Sequence, residues 1–366
     1  MYCNNFDMSV AISKKSLPVL VPYFFEDNTE DVIIYFVSSN ICNEMEQDMF
    51  YKYYSNLNKK INKVILVASC EAVHHSFWLH LTYIITTKCE IKKDNILFLD
   101  CGLDEPTIYN HGYLPYFLTI EDQGFSAQYL FTKKTKLFTA LARSVRLYKL
   151  LFIQELLKRN LYNDNSIISC GVNVQDEDKK MYEELDNRYK GMFPILVDST
   201  IDNQKSHLIW MNFTYNHEYF SECLLNVVIE SSYTNDPYIT KNGVIKSLTN
   251  HSTRLFLTEK TTKAFFWKQI PIFLAPPGYV KKIRDMGFDV FDDVINHSYD
   301  EVLDGYKRMV LVTNEVERLS KQGLHSILDS TLNLHNRLFY NQNHINTAKN
   351  SVNVKLNNIL SNFIKQ

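Results

Sequence analysis

Short apolar runs alternate with amphipathic stretches along most of this chain, and that alternation restricts the possible folds more than any other feature. Residues 17–21, 32–37, 64–68 and 96–99 are brief, β-branched or aromatic runs, the pattern of buried strands. Between them, 43–57 and 76–87 read as helices. Strand–helix–strand order argues for a parallel sheet with helices on its faces. Such sheets hold ligands beyond the carboxyl ends of their strands, which directs attention to the loops after Ala68 and Leu99.

A polar, basic break at Lys133-Lys134-Thr135-Lys136 marks a domain boundary, and a second alternation follows it. Strands are predicted at 137–141, 167–169, 224–229 and 270–274, with another around Val290. Helices are predicted at 146–159, 176–189 and 259–268, the second charged and exposed. After Ser298 the pattern becomes helical, through 299–319 and then 324–364. The expected architecture is α/β: two Rossmann-like domains of the GT-B type with a helical C-terminal extension. The domains are expected at 1–132 and 133–298, with 299–366 packing on them. Alternation alone suits many doubly wound enzymes equally well.

Composition narrows the function classes. The net charge of −2 is not the global signature of a nucleic-acid binder, although local basic clusters occur at Lys59-Lys60-Lys63, Lys88-Lys92-Lys93 and Lys133-Lys134-Lys136. The commoner role of each such cluster is a solvated surface run. Seven scattered cysteines without a Cys-x-x-Cys pair suggest free thiols in a reducing compartment. No signal peptide and no 18-residue apolar run is read in the sequence, so a cytoplasmic protein without a membrane partner is expected. High Tyr and Phe with scarce Gly and Pro argue against disorder and match the bias of an AT-rich genome.

The strongest local signal is Phe256-Leu257-Thr258-Glu259-Lys260-Thr261-Thr262-Lys263-Ala264. An apolar strand end meets Thr258, a good N-cap, and a helix begins. Helix N-termini present free N–H groups and partial positive charge, which attract phosphates. Lys260 in the first turn opposes the helix dipole, an arrangement that makes sense with an anion in front of it. An ordinary capped surface helix fits the same pattern.

The segment continues through Ala264-Phe265-Phe266-Trp267-Lys268-Gln269-Ile270-Pro271-Ile272-Phe273-Leu274 to the Pro276-Pro277-Gly278 turn and Met286-Gly287-Phe288-Asp289-Val290. This run resembles the donor-binding core of α-1,3-fucosyltransferases, and more closely a group of phage-encoded relatives of that family. Glu230-Ser231-Ser232 resembles the family's Glu-Asn-Ser/Thr element. Lys136-Leu137-Phe138 with Arg143 and Arg146 resembles the opening of its second domain. The likeness covers roughly 134–295 and is specific near 256–279. It departs at 230, where the Asn is missing, and in the stretch 233–254, which is longer than usual. Fucose recognition is therefore not carried over.

The resemblance implies an inverting glycosyltransferase whose co-substrate is a nucleotide sugar, with no further cofactor. Glu259 would bind the ribose and Lys260 the diphosphate, with Thr258, Glu230 and Arg143 or Arg146 completing the donor site. Arginine suits the task because its planar fork pairs with phosphate oxygens; a solvated turn charge is the plain alternative for Arg143. Arg254 is a weaker candidate. Inversion needs one carboxylate to take the acceptor proton. Glu71, in the loop after 64–68 with His74 nearby, is the first choice and Asp100 the second; a dipole-stabilised helix-start carboxylate is an equal reading of Glu71. No metal is expected: Asp292-Asp293 and Asp176-Glu177-Asp178 read as structural, and the helix end, Lys260 and Arg would neutralise the leaving group.

In sequence style the chain is similar to phage enzymes that glycosylate hydroxymethylcytosine in double-stranded DNA, one branch of which attaches arabinose. A base in duplex DNA would have to be flipped out to react. A glycan or lipopolysaccharide acceptor, and a non-catalytic binding module on the same fold, remain as alternatives.

Overall fold

Two β-branched, fully apolar segments illustrate why the strands form where they do. Val64, Ile65, Leu66 and Val67 are at most 1% exposed, and Ile96 to Leu99 are wholly buried. Strands covered on both faces need continuous apolar runs, which is what both segments are. The computed structural model describes residues 2–3, 32–36, 51, 55, 62–67, 75–100, 102, 110–113, 133–144, 146–173, 183–197, 217–233, 237–239, 245–247 and 255–365. The protein is a mixed α/β chain built on two parallel sheets.

The first sheet comprises β1 (Tyr2–Cys3), β2 (Val32–Phe36), β3 (Lys63–Val67), β4 (Ile96–Asp100) and β5 (Asn110–Tyr113). They lie side by side in chain order, every neighbouring pair parallel. Helix α1 (His75–Lys88) links β3 to β4 and buries Leu81, Ile84 and Ile85.

The second sheet comprises β6 (Lys136–Ser144), β7 (Ser166–Asn173), β8 (Cys223–Ile229) and β11 (Ile270–Leu274), in the order β11-β8-β6-β7, again all parallel. Helix α2 (Leu147–Lys158) follows β6; short helices α3 (Asn187–Lys190) and α4 (His217–Ser221) precede β8. An antiparallel ribbon of β9 (Pro237–Ile239) and β10 (Ile245–Ser247) occupies part of the stretch 233–254. Helix α5 (Glu259–Phe266) leads into β11, and α6 (Tyr279–Asp285) follows the Pro276-Pro277-Gly278 turn. The chain steps from β6 out to β7, then returns across β6 to lay down β8 and β11. Because parallel crossovers are right-handed, the opposite directions of these two steps place α2 and α5 on opposite faces of the sheet.

Three helices end the chain: α7 (Gly305–Gln322), α8 (Leu324–Ser330) and α9 (Leu334–Lys365). Asp304 caps α7 through Lys307 N at 2.8 Å, and Gly323, at φ 82°, separates α7 from α8. The anchor of α7 is Arg308, 1% exposed. Its guanidinium donates to the carbonyls of Ala275 (3.0 Å), Val302 (2.5 Å), Leu303 (3.1 Å) and Tyr233 (3.2 Å), and lies 4.6 Å from the Tyr233 ring. Such a buried cation is tolerable only because carbonyl oxygens replace its water.

The chain divides into two compact units. One contains residues 1–119, 254–257 and 347–366; the other contains 120–253 and 258–346. The last helix therefore belongs to both. Within the second unit its Asn341 holds Asp289 through N (2.8 Å) and O (2.7 Å), and Arg337 pairs with Asp289 and Asp293. Gly287 adopts φ 93°, and a Cβ there would stand 2.6 Å from the His344 ring, so glycine is required twice over. Within the first unit, Lys63 Nζ donates to the terminal carbonyls of α9, Phe363 O (2.9 Å) and Ile364 O (2.8 Å), a cation at the negative helix end.

Several sequence expectations need correction. Val290 is buried but lies in irregular backbone, because 286–293 is shaped by α9 and not by a sheet neighbour. The helix expected at 176–189 is, in its described part, a turn at 183–185 followed by the single-turn α3, capped by Asp186. The strand expected before Thr258 reduces to an isolated bridge between Phe256 and Gly102. The stretch 324–364, expected to be helical with interruptions, is two helices broken at 331–333. Lys134 is not a surface charge but is 4% exposed.

Candidate functional site

Strand order reverses between β6 and β8, and the carboxyl ends of strands at such a switch point are where doubly wound sheets bind ligands. Two helices begin there. Arg146 occupies the N-cap position of α2, just beyond β6. Thr258 caps α5, its hydroxyl accepting from Lys260 N at 3.3 Å. Glu230 and Ser231 lie immediately beyond β8. The guanidinium of Arg146 donates to the carbonyl of Ser231, and the Tyr148 hydroxyl donates to the carbonyl of Glu230. These two bonds tie the start of α2 to the end of β8 across the switch point.

Glu230 is wholly buried, and its carboxylate is surrounded by donors. Thr258 N (3.3 Å), Thr258 Oγ1 (2.6 Å), Thr261 Oγ1 (2.6 Å), Tyr279 OH (2.8 Å) and Ser231 N (3.2 Å) all point to it. A carboxylate so occupied positions the start of α5 and leaves little acceptor capacity for a ligand. The sequence marked Glu230 as a donor-site residue; in the structure its carboxylate fixes the start of α5.

Lys260 is a partly exposed cation of the site, its side chain 28% exposed. Its ammonium donates to Glu259 Oε1 (2.8 Å), Ser231 Oγ (3.2 Å) and Thr258 Oγ1 (3.3 Å). Glu259 is buried, which by itself pushes its carboxyl up, but Lys260, Lys263 and hydrogen bonds outweigh burial and hold it below the ordinary carboxylate range. Glu259 is thus ionised, and an anion arriving at these helix starts would compete with it for Lys260.

Lys149 lies in the first turn of α2 and is 2% exposed. Burial lowers its amine well below the ordinary lysine value, and the like charges of Arg146 and Lys260 lower it further, while Cys170 and Glu259 oppose them. The sequence reading passed over this residue. The signal available was a lysine inside the otherwise apolar Leu147-Tyr148-Lys149-Leu150-Leu151-Phe152-Ile153.

The structure brings together Thr258, Glu259, Lys260, Glu230 and Arg146. Arg143 lies in β6, beside the register shift between Ala142 and Ser144. Asp100 ends β4, opposite Tyr113 of β5. Glu71, His74 and Arg254 lie outside the described residues. Asp292 pairs with Arg284 (2.6 Å) and Asp293 with Arg337 (2.7 Å), so both carboxylates serve as structural counter-ions. Among the described residues, no group of three or more His, Cys, Asp or Glu stands placed to hold a metal ion. Likewise no described helix is long and apolar enough to cross a membrane. Set against known proteins, the sequence matches no family model and no curated protein.

Proposed function

We propose that this chain is a nucleotide-sugar-dependent, inverting glycosyltransferase that holds the donor diphosphate at the carboxyl edge of its second sheet. The observation that carries this reading is the convergence of two helix N-termini on the β6/β8 switch point, one bearing Arg146 and the other Lys260. Helix N-termini and flanking cations stabilise a departing diphosphate without a metal. Glu259, ionised and buried at the rim, would accept hydrogen bonds from ribose hydroxyls. The sequence likeness to the α-1,3-fucosyltransferases and their phage relatives falls on these same residues, and the two units would be the Rossmann-like halves of a GT-B transferase.

The acceptor side is assigned to the first unit, with Glu71 as base and Asp100 as its alternate. The acceptor we favour is hydroxymethylcytosine in duplex DNA, and the sugar a pentose such as arabinose. The buried free thiols of Cys89, Cys170 and Cys223 suit a reducing, cytoplasmic setting.

The test is incubation of the protein with hydroxymethylcytosine DNA and a panel of nucleotide sugars, followed by mass measurement of the released nucleosides. A pentose or hexose gain on the modified cytidine is the expected result. Transfer only to glycan or lipopolysaccharide acceptors would keep the enzyme and change its substrate. Donor binding without transfer or hydrolysis would leave a binding module.

A further inference from the structure

His297 stands in a chain of hydrogen bonds that suits only one of its protonation states. It opens the 3₁₀ turn His297–Glu301, capped by Asn296, and its ring is half-buried. Nε2 lies 2.7 Å from the Val290 carbonyl, which can only accept, so Nε2 carries a hydrogen. Nδ1 lies 2.8 Å from the Tyr299 hydroxyl, whose oxygen accepts from Phe273 N of β11 at 3.2 Å. With a neutral ring Nδ1 is bare and takes the phenol's proton, and every donor in the chain has an acceptor. A second proton on the ring would face that phenol proton. Tyr299 is 2% exposed, so its hydroxyl would have to turn away from its acceptor inside the protein, which is costly. The charged groups around the ring come from every element packed on it. Asp300 shares the turn, while Asp292 of the preceding loop and Arg284 of α6 pair with each other at 2.6 Å. Glu315 and Arg318 of α7 pair likewise, and hold Asn296 N (2.8 Å) and Val294 O (2.6 Å). Burial lowers the ring's hold on a second proton; the Val290 carbonyl, Asp292 and Asp300 oppose it and Arg284 adds to it, leaving the ring below the ordinary histidine value.

We propose that His297 and Tyr299 form an acid-sensitive latch: the neutral ring holds this turn to β11 and to the loop at Val290, and a proton taken from solvent onto Nδ1 releases it. The turn matters because its Asp300 seats α6. The Asp300 carboxylate accepts from Val280 N and Lys281 N, each at 3.0 Å, and its carbonyl accepts from Gly278 N at 2.8 Å. Between those residues stands Tyr279, which donates to Glu230. Stability contributed by the latch is complete above the unfolded histidine value of about 6.5. It declines as pH falls from there to the lower folded value, because the unfolded chain then holds a proton that the folded chain refuses. Nucleotide-diphosphate affinity falls over the same range, through Tyr279 and Glu230 at the start of α5; that consequence alone rests on the donor reading above.

Histidine-ring NMR of the isotope-labelled full chain between pH 5 and 8 tests this, with His297 assigned by its through-bond links to Asn296 and Ser298. In the wild type its midpoint should lie below about 6.5. In Tyr299→Phe no phenol proton opposes Nδ1, so the midpoint should move up toward that value, a change that a merely structural tyrosine would not produce. Urea midpoints at pH 7.5 and 5.5 should fall further in the wild type than in His297→Gln, which cannot titrate. A wild-type midpoint at or above the free-histidine value overturns the latch, and that result needs no variant to fold. An unmoved midpoint in Tyr299→Phe, or the same loss of stability with acid in His297→Gln, also overturns it. Titration calorimetry with uridine- and guanosine-diphosphate sugars at the two pH values tests the consequence. Affinity that does not fall at pH 5.5 overturns the link to the donor site. Failure of every diphosphate sugar to bind at either pH overturns the donor reading, whereas the latch is judged by the NMR and urea results alone.

Discussion

Tyr279 donates its phenolic proton to the Glu230 carboxylate at 2.8 Å, linking the first residue of α6 to the end of β8 and, through Glu230, to the cap of α5. Neither residue is exposed. One strand end and two helix starts thus share one buried carboxylate, and the placement of α5 depends on it.

Removing that carboxylate should be severe. Glu230→Ala leaves the hydroxyls of Thr258, Thr261 and Tyr279 without their shared acceptor, and a loss on the order of 3–5 kcal/mol is expected. Tyr279→Phe removes one bond to a charged acceptor and should cost about 1.5–3 kcal/mol. Urea denaturation measures both, as a lower midpoint at unchanged slope. Equal stability of Glu230→Ala and wild type would mean that the network carries no energy.

Donor binding should respond differently. Lys260 has an exposed end, so Lys260→Ala should leave the fold intact while weakening nucleotide-diphosphate affinity by about 1.5–3 kcal/mol, the value of one charge-assisted contact. Glu259→Ala should weaken it too, by removing the ribose acceptor. Calorimetric titration reads both variants. Unchanged affinity in the pair would remove the donor from α5.

Arg308 is expected to be indispensable for docking α7. Lysine cannot span the four carbonyls that the guanidinium fork reaches, so Arg308→Lys should destabilise by on the order of 3 kcal/mol despite keeping the charge. Thermal unfolding would show it as a fall of several degrees; a shift within error would count against the anchor.

A pH-dependent term should come from Lys134, at the amino end of β6. It donates to the Trp267 carbonyl at 3.2 Å, and burial lowers its amine to about 7; Cys223 opposes the shift and Lys268 adds to it. Between pH 7 and its unfolded value near 10.4, the unfolded chain holds this proton and the folded chain does not. Stability contributed by this site therefore rises with pH across that window and is lowest below pH 7. Lys134→Met should remove the rise. Denaturation midpoints at pH 7 and pH 9 in both proteins decide it, and identical pH slopes would place the proton elsewhere.

The proposed base is tested by amide substitution. Glu71→Gln should retain donor binding and lose turnover by about 10²–10⁴-fold, the usual value of a positioned base. Asp100→Asn, one strand later, is the internal control. A dead Asp100→Asn beside an active Glu71→Gln would move the base to the end of β4.

Much of the fold was legible because short apolar runs suit strands covered on both faces. Val64-Ile65-Leu66-Val67 lies inside the first sheet and Ile270-Pro271-Ile272-Phe273-Leu274 at the edge of the second, and both are buried. Thr258 was legible as a cap for an equally local reason: its hydroxyl serves an N–H two residues on. Lys260 and Arg146 followed as charges at helix starts. What local pattern misled was Val290, where an apolar residue reads as strand although its carbonyl meets His297 and the adjoining Asp289 backbone is held by Asn341 of α9, 52 residues away.

What only the tertiary structure decided is which polar groups share a space. The sequence by itself determined the alternation, the caps and the cations at the helix starts, because each depends on neighbours within about one helical turn. Strand order decided the rest. Once β8 returns to lie beside β6, Glu230 meets Tyr279 and Thr261, Arg146 meets Ser231, and Lys149 comes under the charges of α5. Burial and pairing are properties of that assembly. A carboxylate that reads as a ligand in sequence becomes a strut when five donors surround it, and a lysine that reads as part of an apolar helix becomes an ionisable group among cations.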